Sequence, residues 1–121
     1  MTLKEKRIWA AGFFNGEGST GTFKMDNHGH KYCRATVSQT DLPVLQQFHE
    51  AVEVGKIVGL YQIKQNKPIW AWNANGYEQA SEALFRIWPW LSQPKREQAL
   101  EAFDEFVAYK QTIRKYKRRV Q

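Results

Sequence analysis

The segment WAAGFFNGEG, residues 9–18, determines which fold we expect for the whole chain. It closes a segment that begins at Leu3 and whose apolar residues, Ile8 and Trp9 among them, predict a helix to about Gly16. Gly16 and Gly18 are expected to end this helix, because glycine tolerates the left-handed backbone that helix ends use. Gly12, inside the helix, costs about 1 kcal/mol relative to alanine, which indicates a close approach of another helix.

Glu17 lies at the predicted carboxyl end of this helix, which is the negative end of the helix dipole. A carboxylate is disfavoured there unless a cation lies nearby, and a divalent metal ion is one such cation. A Gly-Glu-Gly triplet is also typical of an ordinary helix end with a solvated glutamate. The triplet alone therefore leaves a metal site and a solvated helix end as alternatives.

Two pairs of strand-like segments follow the first helix. The predicted elements are strands 19–25 and 32–39, a helix 42–52, strands 56–64 and 68–74, a helix 76–88, and a last helix from about residue 95 into the C-terminal tail. Hairpins separated by helices form one antiparallel sheet with helices on one face. The fold class is therefore α+β, and the other face of the four-stranded sheet is expected to be open.

Charge is unevenly distributed along the 121 residues, which suffice for one domain at 1–109 and a basic helical tail at 110–121. The net charge of +6 favours a polyanionic partner such as nucleic acid. Six of the 18 basic residues lie in the tail, so residues 1–109 carry twelve bases against twelve acids. The two hairpins, residues 19–39 and 56–74 with their turns, nevertheless hold six basic residues and one acid, which predicts a basic sheet of about +5 and acidic helices.

An open basic sheet with hydroxyl and amide side chains suits the phosphates and base edges of a nucleic acid. The residues expected to face it are Lys24, Arg34, Thr36, Ser38, Gln62, Lys64, Lys67 and Asn73, together with Arg114 and Lys117 of the tail. A solvated sheet face and a solvated helix end are the alternatives. In the first strand, alternation would group Thr20, Thr22 and Lys24 on that side.

Other residues argue against competing functions. Cys33 is the single cysteine, which excludes an intramolecular disulfide and fits a reducing, intracellular compartment such as a bacterial or phage cytoplasm or an organelle. His28 and His30 flank a glycine in a predicted turn, where solvation is favoured over a metal pair. No targeting signal or membrane span is expected. The last helix lacks the broad apolar face of a membrane-surface helix.

Residues 10–18, AAGFFNGEG, resemble the LAGLIDADG motif of homing endonucleases. The resemblance extends over roughly residues 8–105. Val37-Ser38-Gln39 is similar to the end of the family's second strand, and Pro89-Trp90-Leu91 followed by Lys95 is similar to its late basic element. The resemblance implies the αββαββα fold of this family.

This chain departs from the commonest family pattern at a few positions. Ala10 stands for the leading leucine and Asn15 for the first acid, and one apparent extra residue precedes Lys95. The resemblance implies that Asn15 is a helix-end or interface residue, so its change from an acid leaves metal binding possible. Counting from Glu17 by analogy with the family puts Gly21, Phe23 and Met25, rather than their neighbours, on the DNA side of the first strand.

The resemblance implies a magnesium-dependent endonuclease for long double-stranded DNA sites, either intron-encoded or free-standing. Glu17 and the backbone carbonyl of Gly16 would bind Mg²⁺ or another divalent cation, and Gln39 and Lys95 would position water and offset charge. One carboxylate per chain is a small number of charged ligands for binding a hard divalent cation. Two copies should therefore meet and bring both Glu17 residues to a shared axis.

The implied assembly is a homodimer with a near-palindromic DNA site. Its interface residues would be Ala11, Gly12 and Asn15. A non-cleaving DNA- or RNA-binding module of the same fold, such as an intron-splicing maturase with intron RNA as partner, is the alternative. Cleavage in the presence of a divalent metal distinguishes the two.

Overall fold

A computed structural model describes residues 1–24, 29–61 and 67–120. In chain order the elements are α1 (Leu3–Glu17), β1 (Gly18–Lys24), β2 (Lys31–Gln39), α2 (Leu42–Val52), β3 (Lys56–Tyr61), β4 (Ile69–Asn75), α3 (Tyr77–Ile87), a 3₁₀ turn (Trp88–Trp90) and α4 (Gln93–Val120). The predicted α+β class and element order are confirmed. The predicted end of β3 at residue 64 lies outside the described residues.

The strands form one antiparallel sheet in the order β1-β2-β4-β3. Gly18 pairs with Val37, Val37 with Trp72, and Trp72 with Ile57, so these residues share one face. The helices pack on that face, which we call the covered face. Residues one position away point to the opposite side, the open face.

The core lies between the covered face and helices α1, α2 and α3. Its largest side chain is that of Trp72, which is fully buried and whose ring meets the Phe48 ring edge-on at 4.8 Å. The indole Nε1 donates to the backbone oxygen of Val54 at 2.9 Å, so burial leaves this polar atom bonded. The helices contribute Ala10, Ala11, Phe14, Leu45, Phe48, Val52, Leu84 and Ile87.

The junction between α1 and β1 differs from the prediction. We expected a left-handed glycine at this helix end, but Gly18 is extended, with φ −93° and ψ 164°, and begins β1 at once. A Cβ atom at Gly18 would overlap the Phe14 ring, so glycine is needed for close packing and not for a left-handed turn. At the end of α2 the left-handed residues are Glu53 and Gly55, rather than Gly55 alone.

Helix α4 runs along β1 on the covered side. Gln98 Oε1 accepts from the backbone N–H of Thr20 at 3.1 Å, and Thr22 Oγ1 donates to the backbone oxygen of Ala102 at 3.3 Å. The helix crosses the proposed boundary at 109–110 without a break, and residues 110–119 are mostly exposed. Within the described residues, no helix combines the length and apolarity that crossing a membrane requires.

Candidate nucleic-acid interface

Polar side chains of β2 and β4 are paired across the open face. Thr36 Oγ1 donates to Asn73 Oδ1 at 2.7 Å, and Arg34 Nε donates to Asn75 Oδ1 at 2.8 Å. Each pair occupies an amide oxygen and so leaves the amide N–H groups as donors. Ser38, two residues beyond Thr36, is exposed on the same face. The structure therefore brings together the predicted residues Arg34, Thr36, Ser38 and Asn73.

The register of β1 is regular from Gly18 to Lys24. Thr20 is only 4% exposed and Thr22 is bonded to α4, so both lie on the covered face and the expectation that they face a ligand is wrong. Gly21 and Phe23 lie on the open face instead, as the family-based count predicted. Their placement follows from α4, which packs over the alternate residues. Met25 lies outside the described residues.

The remaining predicted contacts are more scattered. Lys24 is exposed at the end of β1 and has the covered-side register of Thr20 and Thr22, although it also borders a hollow of about 470 Å³ with Tyr32, Arg34, Asn75 and Gly76. Lys67 is exposed just before β4, and Arg114 and Lys117 are exposed on the distal part of α4. Gln62 and Lys64 lie outside the described residues.

Tyr32 and Asn75 also belong to this face but were not among the residues expected to contact a ligand. Tyr32 could have been found from the alternation through Arg34. Asn75 was missed because the predicted strand ended at residue 74, whereas β4 continues by one residue. That last residue supplies the oxygen that orients Arg34.

Glu17, Gly16 and Lys95 meet at the corner where α1 enters the sheet. Lys95 Nζ donates to the backbone oxygen of Gly18 at 2.5 Å, so its ammonium lies one residue from Glu17. Glu17 is exposed, and within the described residues its carboxylate has neither a hydrogen bond nor an ion pair. The apparent extra residue before Lys95 has thus not moved its side chain away from this corner.

Gln39 lies at the end of β2, close to the same corner. Gly18 pairs with Val37, which places Gln39 just beyond the start of β1 and on the covered side of the sheet. Its Oε1 accepts from the backbone N–H of Thr40 at 3.0 Å, which leaves the side-chain amide N–H groups as donors. Gln39 is half-buried.

The oxygen atoms of this corner fit a hard divalent cation. The Glu17 carboxylate is free of partners among the described residues, and Gly16 lies in the last turn of α1, where backbone carbonyls lack helical partners. Magnesium prefers such oxygen ligands and keeps several waters. In residues 1–24, 29–61 and 67–120 no three His, Cys, Asp or Glu side chains group together as a metal site, so Glu17 does not belong to such a cluster.

Cys33 is not a candidate nucleophile. It is fully buried on the covered face, and its Sγ lies 3.4 Å from the backbone oxygen of Ala102. Burial raises the pKa of the Cys33 thiol, which disfavours the reactive thiolate. The chemistry of the site therefore rests on oxygen and nitrogen groups.

The residues expected at a dimer interface fall into three different environments. Ala11 is fully buried in the core because it lies on the side of α1 that packs inward, so its expected place in an interface is wrong. Gly12 is exposed, and a Cβ atom there would meet nothing within 4 Å. Ile8, Gly12 and Gly16, spaced four residues apart, form an exposed stripe on α1.

Asn15 acts within the chain. Its Nδ2 donates to the backbone oxygen of Trp90 at 3.3 Å, and its Oδ1 accepts from the backbone N–H of Ser92 at 2.8 Å. These bonds tie α1 to the connector that leads into α4. They help to fix the position from which Lys95 reaches Gly18.

Neither a family model nor a curated protein sequence matches the chain. Solved structures do match: the homing endonuclease I-CvuI, in complex with a DNA target in the presence of magnesium, superposes with a TM-score of 0.64 at 21% identity over 84% of this chain and 66% of that one. This chain has the LAGLIDADG homing endonuclease fold. The resemblance inferred from AAGFFNGEG is therefore confirmed for the fold.

Two further DNA complexes share the LAGLIDADG fold. The group I intron-encoded enzyme I-CeuI matches with a TM-score of 0.64 at 15% identity over 93% of this chain and 58% of that one. The homing endonuclease I-LtrWI matches with a TM-score of 0.66 at 14% identity over 92% of this chain and 39% of that one. This chain thus spans 66% or less of the length of these three proteins.

Proposed function

We propose that this chain is one half of a site-specific double-stranded DNA endonuclease that works as a homodimer on a long, near-palindromic site. The observation that carries the proposal is the position of Glu17. Its carboxylate, unpartnered among the described residues, lies where α1 enters a sheet whose open face carries paired polar side chains. The DNA complexes of I-CvuI, I-CeuI and I-LtrWI support double-stranded DNA as the ligand of that face.

The open face would bind in the major groove. Its Thr, Ser and Asn side chains offer donors and acceptors to base edges, whereas its lysines suit phosphates. The exposed bases of α4, including Arg114 and Lys117, would add phosphate contacts beyond the sheet. Such contacts make affinity fall steeply with salt concentration.

The α1 stripe would form the dimer interface. Gly12 and Gly16 allow close approach of a second α1 helix, since a Cβ atom at either glycine would meet nothing within 4 Å in the single chain. A twofold axis along this stripe would bring the two Glu17 carboxylates together. The pair would supply the second acidic ligand that one chain lacks.

Glu17 and the Gly16 carbonyl would hold the divalent cation, which when bound polarises the scissile phosphate and lowers the pKa of attacking water. Lys95, anchored on the Gly18 carbonyl, would offset the negative charge that develops on the phosphate. The amide of Gln39 would orient the water. No group in this arrangement needs to form a covalent bond with DNA.

The decisive experiment compares wild-type protein with Glu17→Gln. DNA that flanks its own gene and a library of near-palindromic sites are incubated with each protein and magnesium. We expect Glu17→Gln to slow cleavage more than about 100-fold, since a metal ligand matters at least as much as its supporting groups. DNA affinity should change little, because the sheet supplies most contacts. The matched control is Glu101→Gln, an exposed glutamate on α4, which should cut at the wild-type rate.

Three results would count against the proposal. Cleavage by Glu17→Gln at the wild-type rate would remove Glu17 from the mechanism. Binding without strand breaks under magnesium, manganese or calcium would favour the non-cleaving module. Sedimentation of the DNA-bound protein as a single copy would contradict the homodimer.

A further inference from the structure

Among the described residues, Arg34 is the cation of the open face with the most contacts that fix its position. Its Nε donates to Asn75 Oδ1 at 2.8 Å, and its Nη2 donates to the hydroxyl of Tyr32 at 2.5 Å. The guanidinium carbon lies 5.3 Å from the centre of the Phe23 ring and 5.1 Å from the centre of the Tyr32 ring. Residues from three neighbouring strands therefore hold one side chain.

The backbone pairing explains why this arrangement forms at Arg34. Gly21 lies directly opposite Arg34 in the register of β1 and β2, and Phe23 lies opposite Tyr32. The Phe23 ring lies over Gly21, where a Cβ atom would sit at an ordinary contact distance of 3.5 Å from the ring. The ring thus fills the space beside the guanidinium. On the other side, β4 places Asn75 opposite Arg34.

The bonds that hold Arg34 leave one edge of its guanidinium available. Nε and one N–H of Nη2 are used, so both N–H groups of Nη1 and the second N–H of Nη2 remain as donors. Among the described residues these donors have no partner. Arg34 itself lines the hollow that it shares with Lys24, Tyr32 and Asn75. A planar pair of donors fits an acceptor pair better than it fits a single phosphate oxygen.

We propose that Arg34 reads a guanine in each half-site of the DNA by donating hydrogen bonds to its O6 and N7 atoms. This inference rests on the proposed function, since it assigns a base to the open face. Guanine is the base that offers two acceptors side by side in the major groove, and arginine is its commonest specific partner. Asn75, Tyr32 and Phe23 orient the guanidinium before DNA arrives, so little side-chain entropy is lost on binding.

Arg34 differs in this respect from the lysines of the same surface. Lys56 is exposed on β3, and an ammonium on a flexible stem has no fixed plane. Lys56 should therefore contact phosphate without regard to sequence. Arg34 and Lys56 therefore form a matched pair of cations on one sheet. Arg34 is expected to determine which base is preferred, and Lys56 is expected to raise affinity for DNA of any sequence.

The test is selection of bound sites from a randomised double-stranded DNA library, repeated with purified variants. Wild-type protein should enrich one guanine in each half-site, related by the twofold axis. Replacing that G·C pair by A·T should weaken wild-type binding about 5- to 100-fold. With Arg34→Ala the preference at that position should fall to less than about twofold, whereas Lys56→Ala should weaken all sites equally and keep every preference.

Arg34→Lys and Tyr32→Phe keep the test informative if Arg34→Ala folds poorly. Arg34→Lys keeps the charge but loses the planar donor pair. Its overall affinity for DNA should therefore fall less than its preference for guanine. Tyr32→Phe keeps the ring and removes only the hydroxyl, so the guanine preference should weaken without vanishing. Thermal unfolding of each variant verifies that it is folded at the temperature of selection.

The outcomes separate this inference from the proposed function. If wild-type protein enriches no sequence, both fail. If it enriches a symmetric site but Arg34→Ala or Arg34→Lys keeps every base preference, only the assignment of Arg34 fails. If the preference that disappears is for a base other than guanine, the assignment to O6 and N7 is overturned.

Discussion

Trp72 and Asn73 are neighbours in β4, yet they belong to different parts of the molecule. Trp72 points to the covered face, where it is fully buried against Phe48 and bonded to Val54. Asn73 points to the open face, where it accepts a hydrogen bond from Thr36 and is 8% exposed between its neighbours. One step along the strand thus separates a residue that stabilises the chain from one placed to meet a ligand.

Helix α1 repeats this division with a different period. Ala11 is buried in the core, whereas Gly12 is exposed with open space around it. In both the strand and the helix, the periodicity of the backbone therefore places one residue in the core and its neighbour on the surface. Substitutions of adjacent residues should separate effects on folding from effects on binding.

The largest contrast is expected between Trp72→Ala and Asn73→Ala. Removing the indole leaves a cavity in the core and should lower the free energy of unfolding by about 3–5 kcal/mol. Asn73→Ala removes one hydrogen bond at the open face and should cost about 1 kcal/mol. Urea denaturation measures both effects, and DNA titration should show weaker binding by the folded Asn73→Ala protein.

Two outcomes would break this comparison. A loss of stability with Asn73→Ala as large as that with Trp72→Ala would mean that the open face also holds the chain together. Unchanged DNA binding by Asn73→Ala would remove it from the interface. Thr36→Val, which removes the partner hydroxyl at similar size, is the matched control and should affect stability as Asn73→Ala does.

The elements and the two sheet faces could be predicted because both follow from local pattern. The alternation of Cys33, Ala35 and Val37 with polar residues in β2 assigns its faces without knowledge of the tertiary structure. The first strand was ambiguous because threonines fit either face, and only α4 decides which side is covered. Local pattern is insufficient where a distant helix determines burial.

The site was predictable in part for the same reason. Glu17 and Lys95 were named from their motifs, and the structure brings them to one corner. Ala11 was assigned to the wrong environment because a small residue packs equally well inside a chain and between chains. Asn15 could not be placed from the sequence, since its partners Trp90 and Ser92 lie 75 and 77 residues further along the chain.

Substitution of Asn15, at the corner where α1 meets the sheet, is expected to lower stability less than Trp72→Ala does. Asn15→Ala removes both bonds to the connector and should lower the free energy of unfolding by about 1–3 kcal/mol. Asn15→Asp keeps the acceptor for the Ser92 N–H but loses the donor to the Trp90 carbonyl. Its loss should be measurable in urea yet smaller than that of Asn15→Ala.

We expect Asn15 to affect cleavage as well as stability. Because the connector leads to Lys95, Asn15→Ala should also reduce cleavage by the folded protein more than it reduces DNA affinity. An unchanged free energy of unfolding in Asn15→Ala would mean that the bonds of Asn15 to Trp90 and Ser92 do not stabilise the junction between α1 and the connector. Equal losses in Asn15→Ala and Asn15→Asp would mean that the bond from Ser92 contributes nothing.

The smallest effect on stability, and one of opposite sign, is expected at Gly12. Gly12→Gln replaces a helical glycine by a better helix former in open space, so in dilute protein it should raise the free energy of unfolding by about 0.5 kcal/mol. The longer side chain should also keep two α1 helices apart and weaken self-association in sedimentation experiments. Lower stability of the dilute protein would contradict an open position at Gly12, and unchanged association would show that the stripe of Ile8, Gly12 and Gly16 is not the surface where two copies meet.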